Sequence, residues 1–269
     1  MDAELRGKIY QDAKEWILNA GRNIREAIND PLVVETKAHA NDLVTEVDRE
    51  TEYFLVTHIR DTYPTHKVFS EEGYGDDIQS LDGIVWIIDP IDGTMNFVKQ
   101  RKNFAISIGI FHEGIGEIGF VYDVMSDILY SAKKGEGAYK NDEKLQSLEP
   151  NLALGEAILG FNHKWLCQND VIDEKVVQQL VSNIRGSRAY GSAALKLAYV
   201  SEGIIDGYLT MNLAPWDIAG GMILANEVGA VTTNLTGGPV TLLSNDSTVT
   251  CHPAIQTELI KDYLEKGIK

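Results

Sequence analysis

The stretch from Ile84 to Phe97, IVWIIDPIDGTMNF, limits what this chain can become more than any other part of it. Ile84 to Ile88 are apolar and mostly β-favouring, so they read as a buried strand, and the run stops at Asp89-Pro90-Ile91-Asp92-Gly93-Thr94. Pro90 lacks an N–H and holds Asp89 extended, so the ladder is expected to end there, with Asp89 and Asp92 folding toward one point. Gly93 permits tight backbone geometry. A helical turn begun by Thr94-Met95-Asn96-Phe97 would set unpaired N–H groups and a positive dipole end beside the two carboxylates. A divalent cation and a phosphate could meet there. The same residues also make an ordinary surface turn, and the rest of the chain has to decide.

The remaining acids narrow the choice. The chain carries 24 basic and 40 acidic residues in 269, a formal charge of −16, with no basic run. That argues against a nucleic-acid polymer or an anionic membrane surface as partner. An anionic substrate would also be repelled unless bound cations invert the local sign. Cys167 and Cys251 are too few for a disulfide framework or a thiolate metal site, and a reducing compartment fits. The start of the chain is charged, and no run approaches the roughly 20 apolar residues that span a bilayer, so a cytoplasmic protein is expected.

Leu5, Ile9, Trp16, Ile17, Ala20, Ile24 and Ile28 recur at helical spacing and predict one amphipathic helix up to Asp30-Pro31. A second helix follows an irregular segment and turns Phe54, Leu55 and Ile59 inward, with Lys37, Asp42 and Asp48 as polar candidates near its start. Asp48 also fits a plain helix-start carboxylate. Ser70-Glu71-Glu72-Gly73 reads as an acidic loop with one acid free to face inward. Strand-like runs at 104–111, 116–124, 128–133 and 138–140 imply an antiparallel sheet. Composition shifts at 147–151, the candidate boundary between lobes 1–149 and 150–269. Beyond it, strands at 157–161, 185–190, 206–211 and 230–233 alternate with helices at 171–182, 191–203 and 217–228, an α/β layer. Gly191-Ser192-Ala193 opens one of these helices with small residues that a ligand could approach, or simply makes a tight turn. Asp217 opens another and fits an N-cap.

Together these residues resemble the inositol monophosphatase family. The likeness rests on Ser-Glu-Glu at 70–72, Trp-Ile-Ile-Asp-Pro-Ile-Asp-Gly-Thr-Met-Asn-Phe at 86–97 and Trp-Asp-Ile-Ala-Gly-Gly at 216–221. Asp42-Leu-Val-Thr-Glu-Val-Asp48 and Gly191-Ser-Ala-Ala match as well, in the family's order, over nearly the whole chain. The resemblance implies a five-layer α-β-α-β-α sandwich of the fructose-1,6-bisphosphatase type, with an α+β N-terminal lobe, and a homodimer. It implies a lithium-sensitive phosphatase holding two or three Mg2+ ions through Glu71, Asp89, the Ile91 carbonyl, Asp92 and Asp217. Hard oxygen donors from separate segments suit Mg2+.

Catalysis is then expected by direct attack of water on a small phosphorylated metabolite. One ion, beside Glu71, would activate that water, and another would steady the leaving oxygen. Thr94 and Asp48 would orient the water, and phosphate would lie against Ile91, Asp92, Gly93 and Thr94, with Gly191, Ser192, Ala193 and Asp217 on the substrate side. Two departures concern specificity and loop shape. Thr210 stands where inositol-specific members commonly carry a glutamate, and Ser70 where a glycine often precedes the acid pair. Fructose 1,6-bisphosphate, the 2′-phosphate of NADP and adenosine 3′,5′-bisphosphate are the alternative substrates. An aspartyl-phosphate mechanism is disfavoured, because Asp89 and Asp92 lie three apart instead of two. A metal- and anion-binding module without turnover is the reading from another class.

Overall fold

The structure, a computed structural model, describes residues 1–36 and 43–269, so Lys37 and Asp42 lie outside the described residues. Helix α1 (Ala3–Ala27) is capped by Asp2, whose side chain accepts from the Leu5 N–H, and buries Ile9, Ala13, Trp16, Ile17, Ala20 and Ile24. It stops slightly short of the expected Asp30. Strand β1 (Val34–Thr36) pairs antiparallel with β2 (Leu43–Thr45), and Thr45 then caps α2 (Glu46–Thr62). Leu55 and Ile59 of α2 are buried as expected, while Phe54 is only half-buried.

A seven-stranded sheet follows in spatial order β3 (Lys67–Ser70), β4 (Ile84–Asp92), β5 (Ala105–His112), β6 (Ile115–Asp123), β7 (Ile128–Lys133), β8 (Gly137–Lys140) and β9 (Glu143–Lys144). Only the β3–β4 pair is parallel. Between β4 and β5 lies α3 (Thr94–Gln100). The unbroken apolar run of β4 has a simple cause: alternate side chains feed different cores. Trp86 and Ile88 join the core under α1 and α2, whereas Val85 and Ile87 join the core on the other face.

The second half contributes β10 (Ile158–Gly160), α4 (Glu174–Asn183), β11 (Gly186–Arg188), α5 (Ala193–Glu202), β12 (Gly207–Leu213), α6 (Pro215–Glu227), β13 (Val231–Thr233), β14 (Asp246–Cys251) and α7 (Pro253–Glu258). Its sheet has the order β11-β10-β12-β14-β13, parallel from β11 to β12 and antiparallel from there on. Helices α5 and α6 lie between the two sheets. The outer face of the smaller sheet is covered by α4 and the C-terminal helical segment, through Leu159, Leu209, Val249, Leu180 and Leu259. The layers therefore run α-β-α-β-α. Helix α6 sits unusually close to the larger sheet, because a Cβ on Gly220 would lie 2.5 Å from the Phe120 carbonyl oxygen.

Three expectations need correction. Strand β4 does not end at Ile88 but continues through Asp92, with a register shift between Asp89 and Asp92. Helix α6 starts at Pro215 with Ala214 as cap, so Asp217 occupies the third helical position instead of the N-cap. Helix α4 begins at Glu174 behind an Asp173 cap, later than the expected Val171. Strand β14 and helix α7 were not read from the sequence. In β14 the buried inward positions Thr248 and Thr250 are hydroxylic, which hides the apolar alternation that marks a strand.

Candidate active site

Residues three apart on a regular strand face opposite sides of the sheet. Asp89 and Asp92 avoid this through a bulge: Asp89 pairs with Ser107 and Asp92 with Ala105, so β4 spends one more residue than β5 between the two pairs. Both carboxylates then face α6, where Asp217 is held by the Ala214 N–H at 3.0 Å from its Oδ2. Carboxylate oxygens of Asp89, Asp92 and Asp217 lie within 4.8 Å of one another. The Asp89 carboxylate also accepts from the Ile91 N–H at 3.0 Å.

Asp92 has a second engagement that the sequence did not reveal. Its Oδ1 accepts from the Ala193 N–H at 3.1 Å, its Oδ2 accepts from the Ala194 N–H at 2.7 Å, and the Ser192 hydroxyl donates to it as well. The Ala193 and Ala194 amides, in the turn that reads either as a ligand approach or as a tight turn, are thus taken by the protein's own carboxylate, which ties β4 to the second sheet's helices. Gly191 adopts φ +80°, and a Cβ there would meet the Asn96 side chain at 2.6 Å. Asn96 in turn donates to the carbonyls of Tyr190 at 2.7 Å and Asn103 at 2.8 Å. Gly93, at φ +97°, faces the Gly191 carbonyl across a gap that a Cβ would narrow to 3.2 Å. Gly93, Thr94 and Gly191 to Ala193 therefore meet at one junction.

Asp48 caps α2 and also reaches toward Thr94. At the start of α2 its Oδ2 accepts from the Thr45 N–H at 2.9 Å and the Thr45 hydroxyl at 2.5 Å, completing a capping box. Its Oδ1 faces the Thr94 hydroxyl at 3.3 Å, which also lies 3.2 Å from the Ile91 carbonyl oxygen. The loop carrying Glu71 is shaped by Glu52, a fully buried acid of α2. Glu52 accepts from the Ser70 hydroxyl at 2.7 Å and from the N–H groups of Glu72 at 2.6 Å and Tyr74 at 2.9 Å. Glu52 was missed in the sequence, although it lies four residues after Asp48 and three before Leu55, on the helix face that turns inward.

Charge crowding is the main electrical feature. Burial pushes Asp89 well above the usual carboxylate range, and the charges of Glu71, Asp92, Asp217 and Asp48 add to it. Asp217 is raised in the same way by burial, Asp92 and Glu71, against the Ala214 amide and a hydrogen bond with Asp89. Asp92 is raised by burial, opposed by Ser192, the two α5 amides and the charge of Lys196. Asp48 is pushed up to about 6, chiefly by burial. Three oxygen donors that repel one another out of water, with no histidine or cysteine in the group, suit a hard divalent cation. Glu71 is not among these three, but its charge acts on both Asp89 and Asp217.

A cleft of about 580 Å³ opens from Asp92 and Asp217 between α3, β12 and the segment 161–164. Tyr208, Thr210 and Asn212 line it from alternate positions of β12. Lys196 of α5 lines it too. It is only 5% exposed, and burial lowers its ammonium to about 8 against the opposing charges of Asp92 and Asp217. Lys196 was also missed, because a lysine three residues into an alanine- and leucine-rich helix reads as its solvent side.

The sequence pattern of the inositol monophosphatase family matches residues 6–267. An inositol-1-monophosphatase of Bacillus subtilis is 51% identical over 257 residues, covering 96% of this chain and 97% of that protein. The crystal structure of inositol monophosphatase II from Staphylococcus aureus superposes with a TM-score of 0.88 at 42% identity, covering 96% of each chain. An IMPase/NADP phosphatase crystallised with Mg2+ and phosphate superposes with a TM-score of 0.87 at 30% identity, covering 96% of this chain and 95% of that one.

Proposed function

The chain belongs to the inositol monophosphatase family and is a Mg2+-dependent phosphoric monoester hydrolase, and we propose that it hydrolyses inositol monophosphate and similar small phosphate esters. The observation that carries this reading is the convergence of Asp89, Asp92 and Asp217 within 4.8 Å at the head of a polar cleft. Together with Glu71 and the Ile91 carbonyl they are the groups to hold Mg2+. When bound, Mg2+ neutralises the cluster, polarises phosphate and makes water a better nucleophile.

The chain's own groups do the rest. Thr94, set between Asp48 and the Ile91 carbonyl, orients the attacking water, and Asp48 stands behind it to take up the proton. The amides of Gly93 and Thr94 fix the phosphate, and Gly191, Ser192 and Ala193, whose junction is locked by Asp92, wall the near side of the leaving group. The residues 1–149 and 150–269 act as two lobes that meet at this junction and along the core under α5 and α6, and the chain works as a homodimer in the cytoplasm. Light scattering at micromolar concentration checks the dimer. Among the described residues no helix is long and apolar enough to cross a membrane.

The test is phosphate release from inositol 1-phosphate with and without Mg2+, and with lithium added. Mg2+-dependent, lithium-suppressed turnover is expected. Mg2+ and phosphate binding without release from any monoester would favour the binding-module reading instead.

A further inference from the structure

We propose that Lys196 is a specificity-determining residue that gives an advantage to phosphate esters whose leaving group carries a second anion, a carboxylate or another phosphate. This rests on the phosphatase reading above and adds to it.

Lys196 is a charged side chain buried to 5% exposure on the wall of the cleft. Among the described residues it makes no hydrogen bond, and no carboxylate oxygen comes within the 4.0 Å of an ion pair. Asp92 is already engaged by Ser192, Ala193 and Ala194, and Asp217 by Ala214. What holds the ammonium is the face of Tyr208, 4.1 Å from ring centre to Nζ. The stem passes Gly160, where a Cβ would lie 3.4 Å from Lys196 Cδ. The lysine is therefore seated between Gly160 and Tyr208 on the wall of the cleft.

An ammonium without a protein acceptor on a mostly buried stem is solvated only through the cleft, and a ligand that brings an anionic acceptor there gains a charge-assisted hydrogen bond. The rest of the cleft agrees with an anion. Its acidic lining residues are Asp92 and Asp217, both at the cation end, whereas His163 and Lys164 lie with Lys196 along the wall. Thr210, beside Tyr208 on β12, offers a neutral hydroxyl. Once cations balance the two aspartates, the uncommitted charge facing a leaving group is positive.

Matched esters isolate this effect. 2-Phosphoglycerate and glycerol 2-phosphate differ by a carboxylate next to the ester carbon. 6-Phosphogluconate and glucitol 6-phosphate differ by a carboxylate at the far end of the chain. For each pair the ratio of kcat/KM, anionic over neutral, is measured with Mg2+ for the unmutated protein, Lys196→Met and Lys196→Arg. Taking the ratio within one protein cancels any general loss of folding or metal binding. In at least one pair the ratio is expected to fall about tenfold in Lys196→Met, the size of one charge-assisted hydrogen bond, and to recover in part in Lys196→Arg. Equal ratios in all three proteins would overturn the proposal and leave Lys196 as a counter-charge for the acidic cluster. Absence of phosphate release from every ester in the unmutated protein would overturn the phosphatase reading and this inference with it.

Discussion

Asp89→Asn separates what the acidic cluster does for metal from what it does for the fold. Asp89 is 1% exposed, and its oxygens lie within 4.8 Å of Asp92 and Asp217. At that separation and an effective dielectric constant of about 20, each pair would repel by about 3.5 kcal/mol if both carboxyls were ionised. With divalent ions chelated, burial and this repulsion hold Asp89 toward its neutral form, and the neutral asparagine can still accept from the Ile91 N–H, so the melting temperature should stay level. With Mg2+ at a hundred times its dissociation constant, the unmutated protein gains about 2.7 kcal/mol. For a chain of this size that is a shift of roughly 5–10 °C. The variant should shift by less than about 2 °C and lose several orders of magnitude in kcat/KM, since charge neutralisation supplies most of such a barrier reduction. Differential scanning fluorimetry with EDTA or Mg2+, beside a phosphate-release assay, reads both. A variant that keeps most of the Mg2+ shift, or activity within tenfold, refutes the reasoning.

Thr94→Ala removes the hydroxyl between Asp48 and Ile91, and kcat should drop by about a hundredfold while phosphate affinity stays close to its original value; an unaltered kcat contradicts the assigned role. Glu52→Gln leaves at least one donor of the Glu71 loop facing an amide NH2, which should cost about 2 kcal/mol and raise the Mg2+ concentration for half-maximal activity; unchanged Mg2+ dependence counts against it. Gly220→Ala forces a methyl group to 2.5 Å from the Phe120 carbonyl, and should destabilise by about 3 kcal/mol in urea titration; a neutral result means that α6 can back away from the sheet. The folded pKa of Asp48 is raised from 3.8 to about 6, so its contribution is full below pH 4 and is lost as pH rises through 6. In EDTA that loss is about 3 kcal/mol, and Asp48→Asn should flatten this part of the stability profile; parallel profiles for the two proteins contradict it.

What the sequence disclosed and what it withheld follow from the range of each interaction. The β4 run was legible because burial on both faces leaves no polar position to break it, and the helices of the first sixty residues because one face is apolar at helical spacing. The bulge was not legible: it depends on the register against β5, and the proline that suggested a strand end is accommodated inside the bulge. Asp217 was found through family resemblance, whereas its place at the third position of α6 depended on Pro215, a favoured first residue of a helix. The capture of the α5 amides by Asp92 joins segments far apart in the chain, and no local pattern encodes it. Glu52 and Lys196 lie on helix faces whose period could be read, yet a charged residue there reads as solvent-facing until its partners are known. Strand β14 was hidden by the hydroxyls of Thr248 and Thr250.

Strand β4 and helix α6 bring Asp89, Asp92 and Asp217 together as the proposed seat of divalent cations. The most direct measurement is diffraction from crystals grown with Mg2+ and repeated with Mn2+, whose anomalous signal locates each ion. A peak bounded by Asp89, Asp92 and Asp217, with metal–oxygen distances of roughly 2.1 Å, and a neighbouring peak between Asp89 and Glu71 are expected. Ions bound only elsewhere on the protein, with those carboxylates left to hydrogen bonds, would contradict it.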